Sequence, residues 1–284
     1  MGSQLKTIAL LGVLSALAIG AASVFSPQWG IVAGAVVVVM NLVSYFYSDR
    51  IVLRMHNARE LTAADAPDLF AINEELARAA GIPAPRLYLI EADYANAFAT
   101  GRGPGHAAIA VTTKLVNGLS RSEVRGVMAH EMSHVKNRDI LIATVAAMLA
   151  AVVSMVANML QWSMIFGGSS RDGERGSPIG ALAFAILAPI AAAIVQMAIS
   201  RSREYVADAT GSSLTRDPES LASALERLSA DAERPHYMEP SPATASLFIV
   251  NPFANGGLVK LFSTHPPMEE RIKRLRALVP QYRV

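Results

Sequence analysis

The chain of 284 residues contains no cysteine. That excludes disulfides, thiolate metal sites and cysteine nucleophiles together, so any metal must be held by histidine and carboxylate. Charge is scarce as well: Asp, Glu, Lys and Arg make up 17% of the residues against 52% hydrophobic. This is too apolar for an ordinary soluble protein, and it makes the lipid bilayer part of the expected solvent. The net charge is only +2 and aromatics are 6% of the residues. No basic patch with interleaved aromatics exists, so nucleic acid is not an expected partner. Internal repeats are lacking too.

What is abundant is apolar sequence. Four segments, 7–25, 30–47, 140–166 and 179–199, approach the roughly 20 residues that a spanning helix needs. Asn158, Gln161, Pro189 and Gln196 interrupt the last two. Lys6 precedes the first segment, Arg50, Arg54 and Arg59 follow the second, and Arg201 and Arg203 follow the fourth, while the connection at 26–29 is uncharged. Positive residues near span ends stay cytoplasmic, so the soluble regions are expected there. The expected layout is an N-terminal transmembrane hairpin (1–48), a first soluble segment (49–139), a second hairpin (140–200) and a second soluble segment (201–284).

Within the soluble regions, residues 66–80 carry helical periodicity, and Gly81, Pro83 and Pro85 supply a stop. Segments 86–91 (RLYLIE) and 106–112 (HAAIAVT) are β-rich and flank a glycine-rich turn at 101–105. They predict a hairpin or small sheet, with 106–112 as an exposed edge along which an extended peptide could pair. Ser120 and Glu123 match the S-x-x-E capping box, so a helix begins near Arg121. With Gly126 the sole glycine or proline between 123 and 166, that helix is expected to run on into the third apolar segment. Further helices are expected at 201–211, 218–230 and 268–278. The last carries Arg271, Lys273, Arg274 and Arg276, which predict a solvated basic face. Residues 231–267 have the composition of a long loop or flap.

The helix predicted after Ser120 carries His130-Glu131-Met132-Ser133-His134. Residues four apart share a helical face, so both imidazoles can meet one ion at about 2.0 to 2.1 Å. Water is a poor nucleophile at neutral pH; zinc lowers its pKa to roughly 7, and an adjacent carboxylate, here Glu131, can take the proton. Two histidines leave such a site incomplete. Glu204 is the best third ligand, and Asp208, four residues on, is placed to hydrogen-bond the outer nitrogen of His130 or His134 and fix its tautomer. Glu123, Lys136, Arg138 and Asp139 flank the motif, which predicts a water-accessible helix end and not the inside of a span. A non-enzymatic membrane scaffold with a degenerate site is the competing reading.

Several separate motifs occur in order along the chain: VSYFYSDRIVLRM at 43–55, NAFATGR at 96–102, AHEMSHVKNRD at 129–139, SRSREYVADATG at 200–211 and STHPPMEERI at 263–272. Together they resemble the HtpX family of membrane-bound zinc endopeptidases, which are related to the CaaX prenyl proteases. The resemblance implies a mostly α integral membrane protein with about four transmembrane helices and a zincin-like cytoplasmic catalytic domain containing a small β-sheet. It implies one zinc ion per chain on His130, His134 and Glu204, with Glu131 as general base and acid and Asp208 behind the ligands. It further implies that His265 stabilises the tetrahedral intermediate, with capping of the last helix as the alternative, and that Asn96 and Arg102 serve the substrate cleft or local turn structure. The implied substrates are misfolded or damaged membrane proteins of the bacterial cytoplasmic membrane, cut on its cytoplasmic side alongside other quality-control proteases. A CaaX-type prenyl protease would share the metal site, although four spans are few for the membrane chamber of that relative.

Overall fold

A computed structural model describes residues 27–145, 201–232, 234, 247–250 and 266–282, together with isolated positions between 11 and 23. The first expected span falls mostly outside these residues, the third does so beyond residue 145, and the fourth does so entirely.

Helix α1 (Pro27–Met55) covers the second expected span. It bends by 65° between its Gly34–Val43 and Tyr45–Met55 halves. Among the described residues no single helix is long and apolar enough to cross a membrane, whereas this bent pair meets that test by length and composition. The N-terminal half exposes Ile31, Val36, Val38, Val39 and Leu42, while Val52 and Leu53 near the other end are buried.

Four strands follow: β1 (Arg59–Glu60), β2 (Arg86–Ile90), β3 (Ala97–Gly101) and β4 (Ala107–Thr112). Their order in the sheet is β1-β2-β4-β3, with β4 parallel to β2 and antiparallel to β3. Of the hairpin or small sheet expected of the β2 and β4 segments, the structure makes the sheet, since these parallel neighbours need a crossover and not a hairpin turn. The expected exposed edge is corrected: β4 lies inside the sheet, between β2 and β3. Among the described residues the sheet's edges are β1 and β3, and β3 is formed from the NAFATGR motif. The Thr112 N–H donates to the Asn96 carbonyl, so by antiparallel alternation the main-chain groups of Ala97, Ala99 and Gly101 face away from β4.

The sheet is covered on both faces, and side chains alternate between two cores with the period of a strand. Leu87, Ala97, Ala99, Ile109 and Val111 join one core with helices α2 (Pro67–Ala80), α4 (Arg121–Lys136) and α6 (Pro218–Ala232). Tyr88, Ile90, Phe98, Ala108 and Ala110 join the other, with Val52 and Leu53 of α1 and with Leu247 and Phe248. The short helix α3 (Thr113–Gly118) connects β4 to α4.

The local signals set the helix ends. Gly81 closes α2 in the left-handed region at φ +70°, which a glycine adopts without Cβ strain. The Ser120 hydroxyl accepts from the Glu123 N–H while the Glu123 carboxylate accepts from the Ser120 N–H, completing the capping box of α4. The helix does not continue into the third apolar segment. It stops at Lys136, Arg138 turns into the left-handed region at φ +58°, and the Asp139 N–H donates to the His134 carbonyl at 2.9 Å.

Behind α4 lie α5 (Arg201–Thr215) and α7 (Met268–Tyr282). Glycines let these helices approach. A Cβ on Gly126 would lie 3.0 Å from the Leu221 nitrogen of α6, and one on Gly211 would lie 3.1 Å from the His130 nitrogen. Gly211→Ala is therefore expected to destabilise the protein. Overpacking costs about 1–3 kcal/mol and alanine's helix propensity returns up to about 1 kcal/mol, and the facing atoms are main chain that cannot rotate away. A net loss of about 1–2 kcal/mol should appear as a lower thermal-unfolding midpoint in detergent. An unchanged midpoint would show that α4 and α5 separate freely.

Candidate metal centre

Helix α4 packs its polar motif between β3 and α5. His130 and His134 lie one turn apart and face α5, which presents Glu204 from its first turn. The His130 and His134 Nε2 atoms are 3.2 Å apart, and they lie 3.6 and 3.5 Å from the two carboxylate oxygens of Glu204. One ligand atom from each residue falls within 4.8 Å of the others. Donors held about 2.1 Å from a common centre in tetrahedral arrangement are roughly 3.4 Å apart, so the spacing and the N, N, O donor set fit zinc. The three residues that the sequence singles out as ligands are thus brought together.

The site is more buried than its charged flanks predict. His130 and Glu131 are 2% and 5% exposed, so the motif forms the floor of a cleft, not an open helix end. Each histidine is backed by a carboxylate, and each carboxylate is held by an arginine. Asp208 Oδ1 lies 2.9 Å from His130 Nδ1, and Arg271 grips the two Asp208 oxygens at 2.7 and 2.8 Å. Asp139 Oδ2 lies 3.7 Å from His134 Nδ1, and its other oxygen accepts from Arg203 at 2.8 Å. Of the two histidines offered to Asp208 by the sequence, the structure selects His130.

The position of Arg271 departs from expectation. Its guanidinium is completely buried, beside Glu204 Oε2 at 3.6 Å as well as Asp208. The solvated basic face expected of α7 holds for Arg274 and Arg276, which are exposed, and fails for Arg271. A signal for this does exist in the sequence. Met268, Ile272 and Leu275 mark the apolar stripe of α7, and residue 271 lies within that stripe.

Charges here shift one another. Burial disfavours the His130 cation, but hydrogen bonds to Asp208 and Glu204 outweigh it and push the ring up to about 9. Burial raises the Asp208 carboxyl, yet the adjacent Arg271 and His130 hold it down at about 2. Burial acts against the Arg271 cation, and Asp208 and Glu204 more than restore it. Glu131 is pushed above the usual carboxylate range by burial, partly offset by His130 and His134. Its Oε2 accepts the Ala99 N–H of β3 at 2.8 Å, which aims the carboxylate along the free strand edge.

The cleft above these groups is narrow, with about 60 Å³ of free volume, and its other walls are Phe98, Ile140, Ala143, Leu247, Phe248 and Ile249. Asn96 does not face the histidines. It is buried, and its Oδ1 accepts the Ile249 N–H at 3.1 Å, so it fastens the 247–250 segment over the cleft. Arg102, expected in the substrate cleft or in local turn structure, is absent from the described lining of this cleft and stacks at 5.2 Å on Phe46 of α1. His265 lies outside the described residues.

Comparison with known proteins places this geometry. Residues 63–279 match Peptidase family M48. A protein from Syntrophobacter fumaroxidans named Protease HtpX homolog is 50% identical over 282 residues, covering 98% of this chain and 100% of the relative. A protein of the same name from Pyrococcus abyssi is 46% identical over 279 residues, covering 98% and 96%. The crystal structure of S. mikatae Ste24p aligns with a TM-score of 0.51 at 21% identity over 96% of this chain, which spans 65% of that longer one; the likeness is one of fold.

Proposed function

The chain belongs to peptidase family M48 and is a metalloprotease, and from that premise we propose that it is a zinc endopeptidase embedded in the bacterial cytoplasmic membrane that cuts misfolded or damaged membrane proteins on the cytoplasmic side. The observation that carries the chemistry is the convergence of His130, His134 and Glu204 within 4.8 Å, beside a buried carboxylate that is not one of the three.

In this reading His130, His134 and Glu204 hold the ion. When bound, zinc supplies a Lewis acid that lowers the pKa of water to roughly 7 and polarises the scissile carbonyl. Glu131 takes the proton from the attacking water and returns it to the leaving amine, a role that its raised pKa suits. Asp208 fixes the His130 ring through Nδ1 so that Nε2 points inward. The outward main-chain groups of Ala97 and the Ala99 carbonyl, the Ala99 N–H being held by Glu131, offer an extended peptide an edge to pair with, which selects unfolded chain over sequence. His265 remains the candidate for holding the developing oxyanion. The membrane half of the reading is supported by the exposed apolar residues of α1, among them Ile31 at 75%. A surface of that kind calls for lipid or protein cover.

The test uses wild type and Glu204→Ala, purified in detergent, with zinc counted per chain and cleavage followed on an unfolded membrane protein and on a prenylated CaaX peptide. Wild type should hold one zinc and cut the unfolded protein. Glu204→Ala should weaken zinc beyond the roughly 10–100-fold typical of losing an outer partner. Full zinc occupancy in Glu204→Ala would remove Glu204 from the ligand set, and cleavage of the prenylated peptide alone would move the substrate to the other class.

A further inference from the structure

Arg102, left over by the metal centre, belongs to a second cavity that shares no lining residue with the metal cleft. This cavity, of about 250 Å³, is lined by Phe46, Asp49, Arg50, Arg86, Arg102 and His106, with Ala84 on its rim. Its charge is unbalanced. Asp49 is engaged by Arg86 at 3.3 Å, and among the described residues no carboxylate pairs with Arg50 or Arg102. Both lie instead over aromatic rings: Arg102 over Phe46 at 5.2 Å and Arg50 over Tyr47 at 5.6 Å. Such stacking fixes the plane of a guanidinium while leaving its N–H groups free to donate.

The loop that carries Arg102 is set by its backbone. Gly101 sits at φ +131°, where a Cβ would collide with the His106 carbonyl, and the His106 N–H donates to the Gly103 carbonyl at 2.9 Å. The cavity therefore offers pre-positioned planar donors with no counterion among the described residues. It also sits at a particular place on α1. The exposed apolar and aromatic residues of α1 run down to Tyr47, 49% exposed, and the charged Asp49 and Arg50 follow directly.

We propose that this cavity binds a phosphate group, carried by an acidic phospholipid headgroup or by a soluble phosphate. Guanidinium forks match phosphate oxygens in pairs, and Arg50 and Arg102 supply two of them around a space with one neutralised acid. The lipid source rests on the membrane reading above, under which the cavity opens at headgroup depth; the phosphate site itself does not. Catalysis plays no part in the readout, so failure here leaves the peptidase reading untouched.

The experiment is isothermal titration of the full chain in an uncharged detergent with inorganic phosphate, dihexanoyl phosphatidic acid and dihexanoyl phosphatidylcholine. Saturable binding of phosphatidic acid is expected, weakened about tenfold or more in Arg50→Gln/Arg102→Gln, since each charge-assisted contact is individually strong. Ala84→Glu, which adds a repelling carboxylate and leaves both arginines in place, should weaken it likewise and decides the matter if the double variant does not fold. Arg78→Gln/Arg121→Gln, removing the same charge elsewhere, should bind as wild type does. Inorganic phosphate binding as tightly as phosphatidic acid, with the same loss in the variants, assigns the site to soluble phosphate. No saturable binding of either, phosphatidylcholine binding equally well, or equal weakening in the Arg78/Arg121 control overturns the proposal.

Discussion

Glu131→Gln is expected to keep zinc and the closed cleft while lowering kcat by about 10²–10⁴-fold, the range general acid–base catalysis supplies. The substitution is nearly isosteric, and the amide oxygen can still accept the Ala99 N–H that now meets Glu131 Oε2 at 2.8 Å. The side chain should therefore stay aimed along β3, and KM should change little. What an amide cannot do is take a proton from water and return it to an amine. The ligand set His130, His134 and Glu204 is untouched, so metal content per chain should match wild type. Zinc analysis and single-turnover cleavage of an unfolded membrane protein measure the two halves separately. Cleavage at the normal rate would sink the assignment of Glu131, and loss of zinc with loss of turnover would recast it as a member of the metal cage.

The features of this site that are legible in the sequence share a cause: they are written in short-range pattern. Helix α2 and its Gly81 stop, the Ser120–Glu123 capping box and the facing of His130 and His134 all depend on residues within a few positions. Glu204 and Asp208 are legible because their own four-residue spacing marks a face, although the side to which that face turns depends on packing. Strand β3 is not legible, because Ala97, Ala99 and Gly101 are small and carry no β-branched pattern; the segment is a strand because β4 pairs with it. The break after Lys136 is hidden for a similar reason. No glycine or proline marks it, and the turn is held by Asp139 reaching back to His134 and across to Arg203, 64 residues away. The burial of Arg271 depends on a carboxylate 63 residues earlier, on a different helix.

That buried arginine gives the second large expected effect. Arg271→Met should destabilise the protein by about 3–5 kcal/mol and weaken zinc by roughly 10–100-fold. The first figure follows from removing one partner of a fully buried ion pair. Asp208, gripped at 2.7 and 2.8 Å, would keep its charge with only His130 to answer it, and Glu204 would lose a cation 3.6 Å away. The second follows from position. Arg271 on α7 holds Asp208 on α5, and Asp208 holds the Nδ1 of His130 on α4 at 2.9 Å, so the orientation of a metal ligand depends on the docking of the last helix. Methionine fills similar volume, which separates charge from packing. Thermal unfolding and zinc titration of Arg271→Met, Asp208→Asn and the pair together divide the two effects. The double variant leaves no uncompensated Asp208 charge and should regain some of the stability that Arg271→Met loses, a coupling that independent sites would not show. It should not regain zinc affinity, because the amide at 208 no longer accepts the Nδ1 proton of His130 with a full charge. A single Arg271→Met variant that unfolds at the wild-type temperature and binds zinc as tightly would make the arginine a bystander, and the metal centre would then be assembled by α4 and α5 alone.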